Sequence, residues 1–255
     1  DHRDLHSFPT RRSSDLEPKE ISNPAVENAL DQFSTLFDAE ADSYGDKGHT
    51  FYVLSFPTGK STWCWDASNG TWCERGTWVP ADNEYKDLRA RWFVTAFAGQ
   101  LRCLHTVSPF LYIMTPTSMR DVVYAPSSPP QKIGDPIRRV RRSPSPRQEN
   151  ARVYFASFEL DCEPGQGTAT GQGQNPLISM RQAKDGGKNW GSERFVPSGK
   201  TGEYSKRMRW NRCGMGRRMV FEIVMTDLVS WRITNAYLNI ANTGGGRQLS
   251  AAASG

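Results

Sequence analysis

The sequence has no long hydrophobic run: nothing in its 255 residues approaches the ~18 to 20 apolar residues that a helix needs to cross a bilayer. Histidine is scarce. Of four, His2 and His6 lie in the first sixteen residues, leaving His49 and His105 far apart in the chain. No Gly-x-Ser-x-Gly elbow and no His- or Cys-rich ligand spacing accompanies them, which excludes the sequence signatures of Ser-His-Asp hydrolysis and of a structural zinc site. Cysteine is sparse too: residues 64, 73, 103, 162 and 213 form no C-x-x-C pair. An odd count without a secretory signal argues for reduced thiols. Cys64 and Cys73 flank a turn, so a disulfide between them is sterically open, with the reduced pair as the default.

Turn formers and aromatics are plentiful. With 22 Gly, 16 Pro and eight Trp at 37% hydrophobic content, the chain reads as a folded protein of short strands and many turns. The net charge of +5 is concentrated locally. Between Gln131 and Asn150, Lys132, Arg138, Arg139, Arg141, Arg142 and Arg147 face only Asp135 and Glu149.

Five segments follow from the pattern. Residues 1–16, "DHRDLHSFPTRRSSDL", lack apolar periodicity and resemble the translation of a sequencing adapter, so we expect a non-native, disordered prefix, with the natural protein entered near Glu17 and its N-terminal part missing. Residues 17–124 begin with helical spacing of Val26, Leu30 and Phe33. They continue into strands at Phe51–Phe56, around the hairpin turn Ala67-Ser68-Asn69-Gly70, at Arg91–Phe97 and at Leu101–Leu104. Antiparallel strands with short turns are what one propeller blade requires, so a partial β-propeller of one or so blades is expected here. Phe110–Tyr124 fits a further blade poorly. Residues 125–150 are rich in Pro and Arg and read as a linker or an edge segment. Residues 151–241 alternate over longer strands, from Val153–Cys162 to Val229–Ile240, and predict a β-sandwich-like domain. Residues 242–255 are small and polar, an expected disordered tail. The fold class is all-β.

Each motif has a plain reading beside the chemical one. Asp185-Gly186-Gly187-Lys188-Asn189-Trp190 approximates the Asp-box of sialidase-type propellers, with Ala183 where Ser or Thr belongs and Asn189 where Thr belongs. Such a box is structural, so Asp185, Gly187 and Trp190 are read as a turn in which the carboxylate caps amides. Gly165 to Gly173 lack the Gly-Lys-Ser/Thr ending of a phosphate cradle, and "FPTGKSTW" has Leu54 where a Walker motif needs its first Gly. Glu159 and Asp161 share a strand face, a commonplace of surface strands. The tryptophans read as core rather than carbohydrate platforms. Arg138, Arg139, Arg141 and Arg142 read as a solvated strand or linker face, with polyanion contact as the competing reading. No catalytic constellation, metal site or cofactor motif emerges.

Three stretches resemble a known family when taken in order: "GHTFYVLSFPTGKSTWCWDASNGTWCERGTW", "IGDPIRRVRRSPSP", and the segment from "VYFASFELDCEPGQG" through "NPLISMRQAKDGGKNWGSE" to "KRMRWNRCGMGRRMVFEI". They are similar to the C-terminal half of bacteriophage packaged-DNA stabilisation proteins, the tail accessory or hub factors of short-tailed phages. The similarity spans most of residues 20–240 and is thinnest between Leu101 and Gln131. It implies a structural virion protein without catalysis at the tail or portal vertex, assembled in the host cytoplasm. Such a protein forms a homo-oligomeric ring that plugs the portal channel, contacts portal-side and distal tail proteins, and retains double-stranded DNA indirectly. No membrane, small-molecule substrate or cofactor is implied. The four arginines are then expected at an inter-domain or inter-subunit contact, or facing a DNA-bearing lumen. The alternative is a carbohydrate-binding or sialidase-like propeller, favoured by the 185–190 turn and the tryptophan count. A free nucleic-acid-binding module is a third possibility.

Overall fold

The computed structural model describes residues 20–115, 117–125, 131–146, 151–240 and 248–251. The sixteen-residue prefix, with His2 and His6, lies outside them. One helix, α1 (Pro24–Leu30), opens the described chain. Asn23 caps it by accepting from the amides of Ala25 and Val26, each at 3.0 Å, and Pro24 at the first helical position needs no partner for its nitrogen. Everything after it is strand and turn.

Four strands form an antiparallel meander in chain order: β1 (Glu40–Asp46), β2 (His49–Phe56), β3 (Ser61–Asp66) and β4 (Thr71–Arg75). The turn between β3 and β4 places Gly70 at φ +67°, as the Asn-Gly pair anticipates. Next come the two-stranded hairpin β5 (Thr77–Val79) with β6 (Glu84–Lys86), and a three-stranded sheet of β7 (Ala90–Ala96), β8 (Gln100–His105) and β9 (Ser108–Ile113). Tyr44, Val53 and Cys64 of the first sheet pack with Phe93 and Leu101 of the second. The sequence reading therefore needs a correction in its grouping: Arg91–Phe97 and Leu101–Leu104 belong to a second sheet, while the first is completed by β1. That strand, EADSYGD, buries only Tyr44, so apolar alternation does not mark it. No closed ring of blades is present among the described residues.

Two paired strands, β10 (Arg120–Ala125) and β11 (Gln131–Pro136), lead to β12 (Arg139–Arg142). The remaining strands are β13 (Val153–Cys162), β14 (Leu177–Ala183), β15 (Arg194–Pro197), β16 (Met208–Gly216), β17 (Val220–Met225), β18 (Ile233–Ile240) and β19 (Gln248–Ala251). They build two sheets, ordered β12-β17-β14-β15 and β16-β13-β18-β19. These face each other across one apolar core: Phe158 stacks on Phe221 at 5.0 Å between ring centres, and Phe155 meets the same ring edge-on at 5.8 Å. The C-terminal half is thus a β-sandwich, and the chain as a whole is nearly all β.

Three expectations change here. The Pro/Arg-rich segment is not wholly a connection, because β12 is an edge strand of the sandwich, paired with β17. Strict alternation along Val153–Cys162 would put Tyr154 on the face of Phe158; a register shift between Phe155 and Ser157 inserts one residue, so Val153 and Phe155 share the buried side with Phe158, Leu160 and Cys162 while Tyr154 is exposed. Part of the tail expected to be disordered, Gln248–Ala251, pairs with β18 as a strand.

Candidate functional site

β17 reads Val-Phe-Glu-Ile-Val-Met, and all six residues are buried. Its inward side chains fill the sandwich core, so Glu222 points to the outer face as a buried acid and must find cations there. The register supplies them. Arg142 on β12 and Arg181 on β14 are its direct neighbours on either side, and their Nε atoms lie 2.6 and 2.5 Å from the two carboxylate oxygens. Burial pushes the Glu222 carboxyl up, but the hydrogen bonds from Arg181 and Arg142 outweigh it and hold the group below the usual carboxylate range. Both guanidinium groups also lie over the ring of Trp190, at 4.9 Å for Arg181 and 5.4 Å for Arg142.

Trp190 is presented by the 185–190 turn. Asp185 accepts from the backbone amides of Lys188 (2.9 Å) and Asn189 (3.0 Å), and from the Asn189 side chain (2.6 Å). Those hydrogen bonds lower its pKa. Gly187 adopts φ +100°, a conformation L side chains rarely take, with Trp190 beneath it. The turn therefore seats an indole against the Arg142-Glu222-Arg181 row, with the carboxylate spent on its own loop.

The other arginines divide by strand face. Arg138 lies over Trp78 at 4.5 Å and over Tyr85 at 5.6 Å, both on the β5–β6 hairpin. The Tyr85 hydroxyl donates to the Arg138 carbonyl at 3.1 Å, and Glu193 lies 4.0 Å from the guanidinium. Arg138 is therefore an inter-domain contact, joining the N-terminal sheets to the sandwich. Arg139 faces the other way, opposite Met225, and donates to the carbonyls of Val229 (2.7 Å) and Asp227 (2.6 Å), clamping the loop between β17 and β18. Burial lowers its pKa. Arg141 is exposed, and its one printed hydrogen bond is to the adjacent Val140 carbonyl. The structure thus gives Arg138, Arg139 and Arg142 internal partners and presents Arg141 to solvent.

Elsewhere the chemistry is dispersed. His49 bonds Asp66 at 2.8 Å, and Asp66 also accepts from the Ser68 amide and the Asn69 side chain, so this pair holds a hairpin turn. His105 is buried on β8, 4.0 Å from Asp121. Glu159 is paired with Arg207 at 2.7 Å. The glycine-rich loop packs on residues 198–203: a Cβ at Gly167 would meet the Thr201 backbone nitrogen at 2.9 Å, so close backbone approach explains that glycine. A shallow groove of about 490 Å³ beside β7 has one carboxylate, Asp42, already bonded to the Phe93 amide at 2.6 Å. Among the described residues no group of three His, Cys, Asp or Glu could hold a metal ion, and no helix is long and apolar enough to cross a membrane.

Trp78, Tyr85, Arg181 and Glu222 were not singled out as partners of the arginines. A signal existed for one: an acid within the apolar run "MVFEIVM" calls for buried cations. Nothing local marks the others, whose role depends on which strands become neighbours.

The fold and this constellation define a protein with an N-terminal group of small β-sheets tied by ionic and aromatic contacts to a C-terminal β-sandwich. Residues 138–241, less than half of the chain, match the family described as Bacteriophage P22 Gp10, beta-sandwich. The match begins at Arg138 and takes in β12 to β18. It supports a phage structural protein with this sandwich as its C-terminal domain. A search of curated proteins returns no match.

Proposed function

We propose that the chain is a structural component of a phage tail or portal-vertex complex, forming a homo-oligomeric ring that plugs the portal channel and retains packaged DNA, without catalysis. The observation that carries this reading is the family match over the sandwich. The surrounding geometry supports it. The polar side chains that sequence reading singled out are mostly engaged in holding the protein's own elements, as a part under mechanical load requires. The far face of the second sheet exposes Trp92, Val94, Leu104, Leu111 and Ile113. A β-propeller blade buries such a face against its neighbour, and apolar exposure on this scale marks contact between protein parts. In this reading β1–β4 and β7–β9 are successive blades.

The alternative, a carbohydrate-binding or sialidase-like propeller, gains no support: Asp185 is occupied by its own loop and Trp190 by two guanidinium groups. Native mass spectrometry of the chain, alone and mixed with the portal-side and distal tail proteins of its phage, tests the proposal. A closed oligomer or a defined complex is expected. A monomer that binds none of them, or one that cleaves or captures sialosides, would refute it.

A further inference from the structure

The hairpin β3–β4 carries two cysteines that the reading above does not use. Cys64 and Cys73 are direct partners in the antiparallel register. Opposed Cα atoms in such a ladder lie ~4.5 to 5.5 Å apart, within the ~4.4 to 6.8 Å over which a disulfide closes. Both are free thiols, but their surroundings differ. Cys64 is fully buried with Tyr44 and Val53, whereas Cys73, on the edge strand, is exposed. Arg75, two residues along the same strand and so on the same face, is held by the Tyr44 hydroxyl and lies over the Phe51 ring at 4.9 Å. A fixed cation, an accessible sulfur and a buried sulfur directly opposite it make an asymmetric pair.

We propose that Cys73 and Cys64 form a thiol–disulfide couple, in which Cys73 is the nucleophile toward small-molecule disulfides and Cys64 the resolving thiol. The reaction balances as follows. The Cys73 thiolate attacks one sulfur of glutathione disulfide, breaking its S–S bond and expelling one glutathione thiolate, which takes up the proton lost by Cys64. The Cys64 sulfur then attacks Sγ of Cys73, breaking the mixed disulfide and releasing the second glutathione thiolate, which is protonated by water. Two cysteines lose two electrons, and one glutathione disulfide becomes two glutathione molecules.

The electrostatics fit these roles. The hydrogen bond from Cys64 holds the Cys73 thiol down to about 6 against the effect of burial, with the positive charges of Arg75 and Arg141 in support. Cys64 is pushed up by its hydrogen bond to Cys73 and by burial, while Arg75 opposes and Asp66 adds to the rise. Formation of the mixed disulfide removes the Cys73 charge, and with it the largest cause of that rise. Cys103 and Cys162 are each buried and pushed up to about 11, and Cys213 is fully buried, so three internal controls are built in. The proposal rests on the hairpin alone and is independent of the reading above.

The test is peptide mapping of the full chain after incubation with glutathione disulfide under native conditions at neutral pH. A Cys64–Cys73 linked peptide is expected, with Cys103, Cys162 and Cys213 still free. Cys64→Ser should stop at a glutathione adduct on Cys73, and Cys73→Ser should react at least roughly tenfold more slowly than wild type. A second measurement needs no variant: the rate of iodoacetamide alkylation at Cys73 should reach half its maximum near pH 6, the position to which the thiol is lowered. The proposal is overturned if Cys64 is modified first, if the wild type halts at the Cys73 adduct, or if Cys73 alkylates with the ~8.5 midpoint of an ordinary thiol.

Discussion

The guanidinium of Arg138 lies over the indole of Trp78, 4.5 Å from the ring centre, and so joins the β5–β6 hairpin to the sandwich. The Tyr85 ring and Glu193 complete the enclosure. Cation–π contacts in a largely desolvated setting contribute about 1 to 2 kcal/mol. We expect Arg138→Ala and Trp78→Ala each to lower unfolding free energy by roughly that amount, with a double mutant losing less than the sum. Arg138→Lys should restore little, because a point charge cannot stack as the planar group does. Denaturant unfolding of the four proteins in the cycle measures it; strictly additive losses would show that the contact carries no coupling.

Glu222 gives a pH prediction with a definite sign. Its native pKa lies below the ordinary 4.5, so its contribution is present above about that pH and is lost as pH falls through the lower native value. The melting temperature of the wild type should therefore drop more steeply than that of Glu222→Gln on acidification below 4.5. Near neutrality the same substitution should cost roughly 3 kcal/mol, because it leaves two guanidinium groups without their shared anion. Melting curves between pH 3 and 7 check both.

At Gly187 the φ of +100° is tolerated because there is no side chain. Gly187→Ala should lose roughly 1 to 2 kcal/mol from backbone strain, since the nearest atom a Cβ would meet, Cζ2 of Trp190 at 3.7 Å, is at ordinary contact distance. Asp185→Ala should lower the melting temperature and increase the solvent exposure of Trp190, read by its fluorescence, because the amides of Lys188 and Asn189 lose their acceptor.

The four arginines should not behave alike. Arg141→Gln is expected to leave stability within about 0.5 kcal/mol, as for an exposed surface change. Arg139→Gln should cost roughly 2 kcal/mol by freeing the carbonyls of Asp227 and Val229. Equal effects from the two, by chemical denaturation, would contradict the division of roles.

Sequence and structure agree where the signal is local. The β3–β4 turn is legible in Asn69-Gly70, and the amide-capping role of Asp185 in its following glycines. Strands β2, β14 and β17 are visible as apolar runs. Strand β1 is not, because a polar edge strand with one buried residue carries no period. The bulge in β13 is likewise invisible, since an inserted residue leaves composition unchanged while reversing the faces on one side of it. For the arginines, charge density marks the segment but not the partners. Alternation on β12 sends Arg142 to Glu222 and Arg139 to the opposite side, a division that needs the register of β17.

The central claim, that this chain retains packaged DNA as part of the particle, is tested most directly in the phage that encodes it. Particles assembled with the gene deleted and with it restored would be compared for nuclease protection of packaged DNA. The account predicts heads that fill and then lose their DNA without the chain, and protection when it is restored. Deleted particles that keep their DNA fully protected and carry complete tails would contradict it.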